Sequence, residues 1–246
     1  MLKGVLHICN FYNCYCEKGC SVIKYKKLSQ IGGSAIKTII LVRHGQSTTN
    51  LNGVFTGQLD APLTELGLEQ AHRMAAYLDS YTIDHIYASS LTRAVETAQA
   101  IALRQNCPLE TADAFREINA GFWQGLTFDE IARRYPKTYG TWKTDIGAAE
   151  PDGGESCRLL YERVIGAFRV LAEDSENRTI CIVAHAIPIR MIESYITANT
   201  VAVAKDIPWV PNASVTVYQF DGSYHAIVRG YSDFLLDLQT NLPKSI

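Results

Sequence analysis

The chain has 246 residues, 47% hydrophobic and 20% charged, with 23 basic and 25 acidic side chains for a formal net charge of -2. That length suffices for one α/β domain with a full core. The charge balance speaks against a nucleic-acid binder, which would show a basic face, and no apolar run approaches the roughly 20 residues that span a bilayer.

Residues 1–37 read differently from the rest. Their apolar residues are interrupted by His7, Asn10, Asn13, Glu17 and Lys18, so no signal-peptide core forms and a cytoplasmic location is expected. Four of the seven cysteines crowd here (Cys9, Cys14, Cys16 and Cys20), whereas Cys107, Cys157 and Cys181 are scattered. A reducing compartment fits that usage better than a disulfide framework. The spacing C-x4-C-x-C-x3-C lacks paired CxxC knuckles, which favours a poorly ordered leader over a zinc site. KYKKLSQIGGSAIK reads as a linker, with an over-extended gene start as the other reading. The expected division is therefore 1–37, a poorly ordered Cys-rich leader, and 38–246, the folded domain.

From Thr38 strands and helices alternate. Thr38 to Val42 is a continuous apolar strand of the kind buried on both faces of a parallel sheet. A helix follows over 65–80, capped by Thr64, with Leu66, Ala71, Met74, Ala75 and Leu78 on one face. Ile83 to Ala88 is a short strand, and Leu91 to Asn106 a helix that Pro108 forbids to continue. Thr127-Phe-Asp-Glu130 is a capping box for a helix ending before Pro136. An amphipathic helix covers 154–174, a buried strand Thr179 to Ala184, and Pro188 suits the first turn of the next helix. Ser214 to Phe220 and Tyr224 to Arg229 flank Asp221-Gly222, a hairpin signal. The alternation implies a three-layer α/β fold: a mostly parallel sheet, helices on both faces, and an antiparallel edge. The turn- and aromatic-rich stretch 115–154 reads as an insertion over the sheet and a candidate lid.

In open α/β sheets ligands bind beyond the carboxyl ends of the strands. Two strands here end in histidine, ILVRH at His44 and CIVAH at His185. Ser89-Ser90-Leu91-Thr92-Arg93 follows another strand, placing Arg93 in the first turn of a helix at the same sheet edge. There a bound anion would offset its clash with the helix dipole. Arg43 and Arg93 could then clamp a phosphate through their planar forks; the alternative is that Arg93 faces a nearby carboxylate. Glu117 lies in the insertion. Beside a phosphate its pKa would rise, leaving it a proton to give to a leaving group; the alternative is an ion pair with Arg116 or a helix cap.

Arg43-His44-Gly45, Asn50, Phe55-Thr56-Gly57 and Asp60-Ala61-Pro62-Leu63 together resemble the histidine phosphatase superfamily, also called phosphoglycerate mutase-like. Ser89-x-Leu91-x-Arg93-Ala94-x-x-Thr97-Ala98, then Glu117 with Gly121-x-x-x-Gly125, then Val183-Ala184-His185, resemble its later signatures in the same order, over residues 38–230. The resemblance implies a phosphoglycerate mutase-like fold and no metal or other cofactor. It casts His44 as the nucleophile that forms a phosphohistidine. Arg43, Arg93 and His185 would stabilise the transferring phosphoryl group, and Glu117 would be proton donor and then base. Asn50, Thr56 and Gly57 match phosphate- or substrate-contacting positions, and Gly45 would let the backbone pass close to the phosphate. Ala186 stands where the family usually has glycine, and Gln46 where glutamate is frequent.

The segment after Glu117, INAGFWQGLTFDEIARRYP, lacks the longer basic stretch of the mutases. With Trp142-x-x-Asp145 and Pro151-x-Gly153-Gly154-Glu155-Ser156 it is similar to α-ribazole phosphatase-like and broad-specificity phosphatases. The expected activity is a metal-independent phosphomonoesterase on a small phosphorylated metabolite, with α-ribazole 5′-phosphate as one candidate. The alternatives are a phosphoglycerate mutase and a non-catalytic binding member of the fold. The expected assembly is a monomer or homodimer. Phe115, Phe122, Trp123, Phe128 and Trp142 either line a pocket or pack the insertion onto the sheet. His7, His72, His85 and His225 show no partnering pattern.

Overall fold

The computed structural model describes residues 36–174 and 176–238, so the four leader cysteines lie outside the described residues. Six strands, β1 (Lys37–Arg43), β2 (His85–Ala88), β3 (Leu109–Thr111), β4 (Thr179–Ala184), β5 (Val215–Phe220) and β6 (Tyr224–Tyr231), form one sheet in the order β3-β2-β4-β1-β5-β6. The pairs β3/β2, β2/β4 and β4/β1 are parallel, and β1/β5 and β5/β6 antiparallel. Lys37, assigned to the leader by sequence, is the first residue of β1, and its Nζ donates to the Leu171 and Asp174 carbonyls.

The helices are α1 (Thr48–Leu51), α2 (Glu65–Tyr77), α3 (Thr92–Gln105), α4 (Phe128–Arg134), α5 (Pro136–Thr144), α6 (Cys157–Glu173) and α7 (Ala186–Ala198). Successive strand residues point to opposite faces, and both faces of β1 are apolar. Ile39 and Leu41 meet α6 and α7 through Leu160, Phe168 and Ile192, while Ile40 and Val42 meet α2 and α3 through Met74, Ala98 and Ile101. A strand buried on both sides has no room for polar alternation, which is why β1 and β4 read as unbroken greasy runs.

Thr64 and Thr127 cap α2 and α4 as expected, Thr127 through the full reciprocal box with Glu130. Three elements escape sequence reading, of which α1 is a single turn of four residues. Strand β3 is three residues long with two exposed, too short for any periodicity. Helix α5 carries Gly140 and little amphipathic pattern; Pro136 both stops α4 and supplies the first turn of α5. The insertion is packed rather than loose. Phe115 and Trp123 are fully buried, and Phe55, Trp123, Phe128 and Trp142 meet edge to face at 5.2–5.8 Å. Phe122 is exposed.

Candidate active site

The site begins with two parallel neighbours. Arg43 of β1 sits opposite Ala184 of β4, so the next residue of each strand, His44 and His185, emerges at the same sheet edge. The His44 amide donates to the Ala184 carbonyl, and the two imidazoles lie 4.9 Å apart, edge to face and almost wholly buried. His44 Nδ1 is 2.6 Å from the Gly45 carbonyl. A carbonyl can only accept, so Nδ1 carries the proton and the Nε2 lone pair is free. His185 Nε2 lies 2.7 Å from Ser89 Oγ, at the end of β2, while its Nδ1 is buried without a partner.

The loop after His44 is held from three sides. The Gly45 amide donates to Thr97 Oγ1 on α3. Asn212 Nδ2 donates to the His44 and Gly45 carbonyls and to Asn50 Oδ1. A Cβ on Gly45 would meet the Gly67 carbonyl of α2 at 2.5 Å, so backbone packing alone demands glycine there. Asn50 and Thr56 reach the cavity but also serve the loop: Asn50 Oδ1 accepts from the Ser47 amide to close the α1 capping box, and Thr56 Oγ1 donates to Thr49. Gly57 adopts φ +54°, and a Cβ there would strike Gln124.

Arg93 projects from the first turn of α3 and is anchored by the Leu59 and Gly57 carbonyls. Arg43 donates to the Val210 carbonyl, and its Nε is buried with no partner. Among the described residues neither guanidinium forms an ion pair. Arg116 pairs with Asp113 rather than Glu117. The Glu117 loop is fixed by Arg163, which bridges Glu155 and the Ala114 and Glu117 carbonyls, and Glu117 Oε1 accepts from the Ile118 amide at 2.9 Å.

These groups border one cavity of about 250 Å³. Arg43, His44, Arg93 and Glu117 sit on it beside Asn50, Thr56 and Gly57, while Val54, Phe128, Trp142, Ile187 and Trp209 make an apolar wall. His185 adjoins it through the His44 ring, and Gly45 supports it from beneath. Trp209, Ile187 and Asn212 are neighbours of the site that residue-by-residue reading did not single out, whereas Ser89 stood in a signature without a stated role. Trp209 follows α7 in a proline-flanked segment that carries no periodic signal. Ala186, where the resemblance expects glycine, is the first residue of α7 and borders the cavity.

The electrostatics follow from burial. Desolvation, then the charges of Arg93 and Arg43, hold the His44 imidazole well below its ordinary range, and desolvation with Arg93 does the same to His185. Both rings are therefore neutral at neutral pH. Burial pulls Arg43 and Arg93 down to about 10, still fully charged. Burial raises the Glu117 carboxyl, opposed by the Ile118 amide and the two arginines. The result is a compact positive pocket with one free imidazole lone pair and one carboxyl biased toward its protonated form. Such a set can accept a phosphoryl group and protonate what leaves it. Among the described residues no three His, Cys, Asp or Glu side chains converge as a metal site, and no helix is long and apolar enough to cross a membrane.

The family model of the histidine phosphatase superfamily (branch 1) matches residues 39–232. The chain is 36% identical over 152 residues to phosphoserine phosphatase 1 of Hydrogenobacter thermophilus, covering 62% of this chain and 72% of the relative. It is 28% identical over 145 residues to the adenosylcobalamin/alpha-ribazole phosphatase of Escherichia coli, covering 59% and 71%. Among solved structures, the native mycobacterial glucosyl-3-phosphoglycerate phosphatase superposes with a TM-score of 0.73 at 28% identity, over 80% of this chain and 100% of that one.

Proposed function

The chain belongs to the histidine phosphatase superfamily, and we propose that it is a metal-independent phosphomonoesterase that works through a phosphohistidine on His44. One observation carries this reading. The Gly45 carbonyl holds the proton on His44 Nδ1, leaving Nε2 as a free nucleophile beside two arginines that form no ion pair among the described residues.

The chemistry then follows. Phosphoryl oxygens enter between Arg43 and Arg93, whose donors are placed before the reaction and need no rearrangement. The Nε2 lone pair forms the N–P bond. The P–O bond to the leaving group breaks, its electron pair stays on the leaving oxygen, and Glu117 gives that oxygen a proton. As the ring becomes cationic, the Nδ1–H to Gly45 bond strengthens. The Glu117 carboxylate then takes a proton from water, the water oxygen forms the new P–O bond, and the N–P pair returns to Nε2. His185 adds its unpartnered Nδ1 to the phosphoryl oxygens, with Ser89 holding the other ring nitrogen. Two guanidinium groups supply the charge that metal ions supply in other phosphoryl-transfer sites.

The apolar wall beside this centre suits a small phosphorylated metabolite whose leaving group carries nonpolar surface. The relatives' names make phosphoserine, glucosyl-3-phosphoglycerate and α-ribazole 5′-phosphate the first compounds to test. The assay is phosphate release from these and from p-nitrophenyl phosphate in EDTA, by wild type and His44→Ala in parallel. Release by wild type alone is expected. Turnover by His44→Ala or loss of wild-type turnover in EDTA would overturn the mechanism. Interconversion of phosphoglycerates would make the protein a mutase, and binding without turnover a phospho-ligand receptor.

A further inference from the structure

A second cavity of about 220 Å³ lies next to the first, and the two share Trp142 and Trp209 as walls. Its charged lining is entirely basic: Lys143 at the end of α5, Arg190 on α7 and Lys205 in the turn after α7. Arg190 is 6% exposed, and its guanidinium carbon stacks 3.9 Å over the Trp209 ring. Its Nε is buried without a hydrogen-bond partner, and among the described residues its side chain makes no ion pair. A buried guanidinium with unused donors is costly unless something satisfies it.

The neighbouring acids do not satisfy it. Glu193, one turn along α7, is held by Arg229 at 2.6 and 2.8 Å and by the Tyr218 hydroxyl. Asp145 does not line the cavity; its Oδ1 is buried without a hydrogen-bond partner and makes no ion pair with Arg190. Among the described residues none of the three cations is ion-paired, and Glu193 offsets Arg190 only through space because its carboxylate is held by Arg229. The second cavity sits just beyond the apolar wall where the leaving group is expected.

We propose that Arg190, Lys143 and Lys205 form a second subsite that binds a distal oxyanion, a carboxylate or a second phosphate, carried by the leaving group of the substrate. Trp142 and Trp209 grip the part between the two ends. Planar stacking fixes the Arg190 fork for bidentate contact with such a group, and the exposed lysines add attraction without directional demand. The substrate class narrows to phosphomonoesters with an anionic group at both ends. This inference rests on the phosphatase reading above.

The test is a ladder of ω-carboxyalkyl phosphates of increasing chain length, each paired with its neutral methyl ester, and a matching ladder of α,ω-bisphosphates. The measured quantity is the ratio of kcat/KM for the acid over the ester. Wild type is expected to favour the anionic compound at least tenfold at one length, and the better ladder tells carboxylate from phosphate. Arg190→Gln and the surface double variant Lys143→Ala/Lys205→Ala should each collapse that ratio toward one. Because the readout is a ratio within each variant, loss of folded protein cannot mimic it. A wild type that hydrolyses the esters and prefers neither ladder at any length overturns the subsite. So does a preference that survives both variants. Failure to hydrolyse any compound, esters included, would instead remove the phosphatase reading.

Discussion

Replacing Glu117 by Gln removes the acidic proton while keeping the shape. The amide oxygen retains the Ile118 contact that Oε1 makes at 2.9 Å, and the loop stays pinned by Arg163 through the Glu117 carbonyl, which the change leaves alone. What disappears is the only carboxyl among the described residues that line the reaction cavity, a group whose pKa burial raises, as the proposed proton donor requires. General acid catalysis contributes about 10²–10⁴-fold, or about 3–5 kcal/mol, when the leaving group needs its proton. An alkyl phosphate needs it, because an alkoxide is a poor leaving group; a nitrophenolate leaves without it. The expected result is therefore selective: single-turnover formation of phosphohistidine from alkyl phosphates slows about 10²–10⁴-fold, and from p-nitrophenyl phosphate less than about tenfold. Single-turnover rates for both substrate classes measure this. Equal losses for both classes would show that Glu117 acts by charge or structure and not as the acid.

Two further outcomes follow from the same geometry. Gly45→Ala should cost about 1–3 kcal/mol of stability, the range for forced overpacking, because its Cβ meets backbone at 2.5 Å; an unchanged urea midpoint would refute that packing. His44 and His185 both have pKa values depressed in the fold. Their contribution is whole above the ordinary imidazole pKa of about 6.5 and declines as pH falls toward the folded values, by up to about 1.4 kcal/mol per pH unit for each ring. Urea midpoints between pH 7 and 5 should drop in wild type and flatten in His44→Gln/His185→Gln; parallel profiles would refute the assignment.

Much of this protein is legible in the chain because local physics dictates it. Strands β1 and β4 announce burial on both faces by having no polar alternation, and Thr64 and Thr127 announce helix starts by offering an oxygen to free amides. The polar residues that break the pattern at the strand exits, Arg43, His44 and His185, mark the site because a buried strand has no structural use for them there. The residues missed lack such a signature. Asn212 acts through His44 and Gly45, 168 and 167 positions away, distances over which no local pattern exists, and Trp209 sits in a proline-flanked segment with no periodic signal.

The chain by itself thus determined the α/β alternation, the candidate site residues and the family, since those depend on periodicity, capping and short motifs. Only the tertiary structure decided how those pieces work together. The β1/β4 register sets the two imidazoles 4.9 Å apart, and the Gly45 carbonyl selects the His44 tautomer. The chain after α7 folds back on that helix and sets Trp209 over Arg190 next to the reaction cavity. Those are relations between segments distant in sequence, fixed by packing and register rather than by any residue's own preference.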